Sequence, residues 1–171
     1  MTEPSSLAAP TRAGLVAAAR RWIGTPYCHR ASLEGVGCDC LGLVRGLWRE
    51  FYGDEPEELP AYAPDWAEAG RIESMIDAGR RHLCAVPLAS VRPGDVVLFR
   101  WRPELPAKHA GIVSEVRDGR PVRFVHAYDG CAVVESPLGP WWYRRLAAAF
   151  AFPDLRDDAA PPSSPTPSSE E

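Results

Sequence analysis

The sequence predicts an α+β domain, with N-terminal helices packed on a meandering antiparallel sheet. Two observations carry this. Up to about Leu83, apolar residues recur at helical spacing; from Arg92 onward they fall in short runs rich in Val, Phe and Ile. Turn signals such as "RPGD" and "RDGRP" separate those runs at the short distances that join antiparallel neighbours.

Each element follows from local chemistry. Residues 1–10 read as a flexible lead. Thr11 is suited to cap a helix that runs to about Trp22, burying Leu15, Ala18, Ala19 and Trp22, with Gly24 as its stop. "YCHRASLEGVG" reads as an irregular loop. A second helix begins at Asp39, places Val44, Leu47, Trp48 and Phe51 on one stripe and ends at Gly53. The proline- and acid-rich stretch 53–64 reads as a surface excursion, followed by a third helix from about Asp65 to Leu83 with Trp66, Ala69, Ile72 and Ile76 as its buried stripe. Strands are expected at Val96–Phe99, "HAGIVSEV", "VRFVHAY", "CAVVES" and "RRLAAAFAFP", the last alternating Leu146, Ala148, Phe150 and Phe152. The single domain is expected over 11–156. The acidic, Pro/Ser-rich stretch 157–171 lacks large apolar side chains and is expected to be disordered.

A chain of 171 residues with 46% hydrophobic and 25% charged residues suits one globular domain. Its formal charge of −4 argues against a nucleic-acid partner, which needs a basic face. Five cysteines, an odd number without regular spacing, indicate reduced thiols. The N-terminus has no apolar signal region and no stretch reaches membrane-spanning length, so synthesis in the cytoplasm without a signal peptide is expected.

The stretch "GVGCDCLGLVRGLW" raises the chemical question. With Asp39 at the N-cap, Cys40 takes the first helical position, where unpaired backbone N–H groups and the positive end of the helix dipole favour a thiolate. A small buried thiol is the bland alternative. Zinc through Cys28, His29, Cys38 and Cys40 is disfavoured because the ligand spacings of structural zinc sites are missing, and no metal or cofactor is expected.

The histidines bear on this choice. If "VRDGRP" turns through a two-residue Asp118-Gly119 loop, Arg117 pairs with Arg120, and His126 falls opposite Gly111 and His109 opposite Tyr128. Both imidazoles then share one face as diagonal neighbours. A thiol, then a histidine on a strand, then a polar group on the next strand is the order of a papain-like Cys-His-polar triad.

With these residues assembled, the chain resembles the NlpC family of papain-like cell-wall endopeptidases. The matching pieces are "ARRWIGTPY", "CDCLGLV", "RPGDVVLF", "KHAGIV" and "FVHAY", in the family's order and covering residues 15 to about 152. "CDCLGLVRG", "APDWAEA" and the late "PWW" are most similar to the branch found among phage tail genes and gene transfer agents. The resemblance implies a papain-like NlpC fold, Cys40 as nucleophile, His109 as general base and His126 as the orienting third residue. It further implies that the Tyr27 hydroxyl helps an oxyanion site whose other donor is the Cys40 N–H. Two positions depart from the family: Leu41 replaces the usual serine after the nucleophile, and "CHRAS" replaces a glycine pair after Tyr27, where His29 either lines the cleft or is a plain loop residue.

The implied substrate is the peptide stem of peptidoglycan, typically the bond from γ-D-glutamate to a diamino acid. The implied partners are tail or baseplate proteins of a phage-like particle, which would carry the enzyme to the periplasm or cell wall. A catalytically idle tail module and an acyltransferase using the same triad are the alternatives.

Overall fold

The computed structural model describes residues 9–57 and 73–159. Helix α1 spans Arg12–Arg21, with the Thr11 hydroxyl accepting from the Gly14 N–H at 3.1 Å. A two-stranded ribbon, β1 (Ser32–Leu33) and β2 (Gly37–Cys38), orders part of the loop expected to be irregular. Its hydrogen bonds are backbone pairings inside a loop with no period, which is why no sequence pattern marked it. Helix α2 spans Cys40–Tyr52 behind the Asp39 N-cap and stops at Gly53, whose φ of 82° suits glycine. Helix α3 covers only Ser74–His82. The earlier part of the expected third helix, with Trp66, Ala69 and Ile72, lies outside the described residues.

Strands β3 (Cys84–Val86), β4 (Val96–Phe99), β5 (His109–Arg117), β6 (Arg120–Ala127), β7 (Val133–Pro137) and β8 (Leu146–Ala151) form an antiparallel sheet in the order β3-β8-β4-β5-β6-β7. A short helix α4 (Pro140–Tyr143) sits between β7 and β8, with proline at its first position. Arg144 and Arg145 therefore follow this helix and precede the last strand, rather than opening it.

One sheet face carries Val96, Leu98, Ala110, Ile112 and Val125 against Leu15, Trp22, Leu43 and Leu47 of the helices. The other carries Val97, Phe99, Val113 and Phe124, with Trp142 packed against them. Each fully buried Leu contributes roughly 1.5–3 kcal/mol, and α2 is thereby pinned across β5. The expected alternation in β8 fails at Leu146: a register shift between Leu98 and Phe99 pairs Phe99 with Leu146, which packs on the face opposite Phe150.

Residues 9–10 and 156–158 meet beside the start of α1. Pro10 O accepts from Arg156 N, and Ala9 O accepts from the Arg156 side chain at 2.7 Å. Asp157 contacts both Arg12 and Arg92, and Asp158 accepts from Ala13 N at 2.8 Å. These contacts continue past residue 156, because Asp158 meets a backbone donor of the first turn of α1 and Asp157 meets two guanidinium groups. No helix among the described residues is long and apolar enough to cross a membrane.

Candidate active site

The β5–β6 hairpin has the expected register. Asp118 and Gly119 both take positive φ, Arg117 pairs with Arg120, and Ile112 pairs with Val125, with one irregularity around Ser114. Gly111 lies against His126: a Cβ there would stand 3.2 Å from the His126 Cβ and 2.6 Å from the Phe124 ring. That absent side chain leaves room for the two imidazoles to meet.

They do meet. His109 Nε2 and His126 Nδ1 are 2.9 Å apart, and the two rings stand nearly perpendicular at 87°. His126 Nε2 lies 3.0 Å from Ser136 Oγ on β7, a partner the sequence reading missed. Strand pairing of β6 with β7 would have exposed it, since His126 faces Val134 and Ser136 is the next residue on the same side.

Aromatic rings enclose the pair. Phe124 stacks on His126 at 4.2 Å, and Trp142 stacks on His109 at 5.4 Å while meeting His126 edge-on. Trp101 and Phe99 complete the surround of His109. Burial disfavours the imidazolium, pushing His109 down to about 3, with repulsion from His126 adding to it, and His126 down to about 4. Both rings are neutral near neutral pH.

Cys40 opens α2 as expected. Asp39 caps the helix, accepting from Gly42 N and Arg30 N at 2.7 Å each. The Cys40 thiol points at the start of β5 and contacts the Lys108 carbonyl at 4.0 Å, one residue before His109. In this resting arrangement the thiol's contact is with that carbonyl, while His109 stacks among the aromatic residues.

The expected thiolate is corrected. Burial, then the Asp39 charge, pushes the Cys40 thiol up to about 12, although the N–H groups of Ala110, Leu41 and Cys40 itself pull the other way. The helix-terminus donors are present, but desolvation outweighs them. Cys38, fully buried, donates to the Asp39 carbonyl at 3.0 Å and is likewise raised to about 12.

Tyr27 is partly buried in the helix-side cluster that also takes Cys40, bridging to Cys38 in parallel pairing. Burial first, then Asp129 and Cys40, pushes its hydroxyl up to about 12, so it is a protonated donor. His29 sits with Nδ1 3.8 Å from Asp39 Oδ2, beside the helix cap. Among the described residues no three His, Cys, Asp or Glu side chains converge as a metal-binding group.

Helices laid on one face of an antiparallel sheet, with a cysteine at a helix start and histidines on the adjoining hairpin, make this the papain-like fold of NlpC/P60 structures. An NlpC/P60 family protein of Bacillus cereus ATCC 10987 superposes with a TM-score of 0.60 at 18% identity, covering 85% of this chain and 41% of that one. The NlpC/p60 domain of the peptidoglycan hydrolase SagA gives 0.53 at 20% identity, covering 83% of this chain and 99% of that domain. In sequence, the chain is 27% identical over 143 residues to the gamma-DL-glutamyl hydrolase of Bacillus subtilis (strain 168), covering 82% of this chain. It spans only 29% of that hydrolase's length. No protein-family profile matches the chain.

Proposed function

We propose that this protein is a cysteine peptidase of the NlpC type that cleaves peptidoglycan stem peptides, at the bond from γ-D-glutamate to a diamino acid. The observation that carries this reading is the 2.9 Å His109–His126 contact on the strand whose first residues receive the Cys40 thiol. The likeness to a γ-glutamyl hydrolase supports the γ-glutamyl linkage. Carriage by a phage-like tail rests on the motifs "CDCLGLVRG" and "PWW".

The mechanism uses neutral partners. Cys40 Sγ–H exchanges the Lys108 carbonyl for His109 Nδ1, which takes the proton as sulfur attacks the scissile carbonyl carbon. The Cys40 N–H and the Tyr27 hydroxyl donate to the developing oxyanion. The imidazolium returns its proton to the leaving amine, the C–N bond breaks and a thioester remains. Water then attacks, His109 takes its proton and gives it back to sulfur, and the acid leaves. Transfer of the proton from thiol to imidazole keeps the net charge of the pocket at zero, so the burial that disfavours either ion alone weighs less on the pair.

An idle structural module is the second reading, favoured by the raised thiol and its contact with a carbonyl rather than with His109. Purified stem peptides incubated with the protein, with fragments identified by mass, decide the matter. Cleavage between γ-D-glutamate and the diamino acid, lost in Cys40→Ala, is the expected result. Intact peptide with folded protein supports the idle module, and a product with an added amine or alcohol identifies acyl transfer.

A further inference from the structure

We infer that Ser136 is a positioning residue: its hydroxyl accepts from His126 Nε2–H and thereby holds the tautomer that leaves His109 Nδ1 open for the thiol proton. This rests on the peptidase reading of the site, with His126 in the orienting role.

The geometry comes from the sheet. Pairing of His126 with Val134 and Phe124 with Ser136 sets Ser136 diagonally beside His126 on one face, which gives the 3.0 Å contact to Nε2. His126 is fully buried, stacked on Phe124 and edged by Trp142, so its ring has little freedom to turn away. With one proton on each neutral ring, the line Ser136–His126–His109 has two arrangements. In the first, His109 Nε2–H donates to His126 Nδ1, and His126 Nε2–H donates to Ser136 Oγ. In the second every donor is reversed, and the His109 proton sits on Nδ1, where it blocks the base. The Ser136 hydroxyl can serve either arrangement, but a buried N–H without an acceptor costs more than a ring nitrogen without a donor, so it is the first arrangement that depends on a partner at Nε2. Ser136 supplies it.

Nitrogen-15 NMR of the imidazoles, with steady-state kinetics on stem peptides, tests this. Wild type should carry Nε2–H on both His109 and His126. Ser136→Ala should raise the Nδ1–H fraction at His109 and lower kcat roughly three- to tenfold with KM little changed, the size expected from losing one hydrogen bond. Ser136→Thr, which keeps the hydroxyl, should restore both. Unchanged imidazole tautomers in Ser136→Ala, a wild-type His109 already protonated at Nδ1, or an equal defect in Ser136→Thr would each overturn the inference. If Ser136→Ala does not fold, Ser136→Cys, a weaker acceptor of similar size, takes its place with the same expected shift. A wild type that shows the expected tautomers yet cuts no stem peptide leaves the Ser136 role standing and removes the peptidase reading instead.

Discussion

At the scale of the residue, the site is a set of neutral groups held near charge-stabilising donors. With Cys40 pushed up to about 12 and His109 down to about 3, both groups are neutral near neutral pH, so on the peptidase reading an ion pair forms only with the proton transfer. Cys40→Ala and His109→Ala should therefore each abolish stem-peptide cleavage, and the double variant should be no worse, because the two act as one unit. His126→Asn, which keeps an acceptor oxygen toward His109, should retain more activity than His126→Ala. Equal losses in those two would remove the hydrogen-bonding role. The same shifts set a stability profile. A histidine whose folded pKa lies below the ordinary 6.5 contributes stability that is complete above that value and is lost as pH falls toward the folded pKa. Between about pH 6.5 and 4 each histidine should cost about 1.4 kcal/mol per pH unit. The melting temperature should fall over this window, and less steeply in His126→Asn. A flat profile would show that the imidazoles are already solvated. Cys40, raised from 9.0, acts at the other end: its contribution is whole below pH 9 and is lost as pH climbs toward 12.

At the scale of the element, the hairpin does the assembling. Its register was legible because Asp118-Gly119 specifies a two-residue turn, and one turn fixes every facing pair up to the histidines. The α2 start was legible for a similar reason, since Asp39 before an apolar stripe is a cap with a mechanism. Ser136 escaped because the Asp129-Gly130 turn joining β6 to β7 holds three residues rather than two, with Tyr128 N donating to Ala132 O, so a register counted from a two-residue turn falls one residue off. The Cys40 thiolate was misjudged because helix-end donors are visible in sequence, whereas desolvation depends on what the rest of the chain packs around the sulfur. Gly111 gives the element-scale test. A methyl there would lie 2.6 Å from the Phe124 ring and 3.2 Å from the His126 Cβ, so Gly111→Ala should destabilise by about 1–3 kcal/mol and part the histidines. Denaturant unfolding with a cleavage assay checks this, and a fully stable, fully active variant would show that the rings do not need the space.

At the scale of the whole molecule, the helical layer and the sheet are joined near the chain ends as well as through the core. Arg12 at the α1 start bonds Asp95 at 2.8 Å and the Pro93 carbonyl at 2.8 Å, while the fully buried Asp95 also accepts from Arg92 N. Removing the guanidinium leaves a buried carboxylate uncompensated, so Arg12→Ala should cost on the order of 3–5 kcal/mol, with Asp95→Asn in the same chain recovering part of it. Asp157 and Asp158 extend this junction from beyond the boundary expected in sequence. Composition alone could not reveal that extension, because two short acids bury no apolar surface and act only through the donors they meet. Asp157 is well exposed, which limits its ion pairs to Arg12 and Arg92 to at most about 1 kcal/mol together with what Asp158 adds at the α1 N-terminus. A chain ending at Arg156 should therefore melt lower than one ending at Ala159, by at most about 4 °C. Salt should narrow that gap, since exposed ion pairs are screened. Equal melting temperatures at low salt would show that the two acids add nothing to the junction, and that Arg12 is held by Asp95 and the Pro93 carbonyl alone.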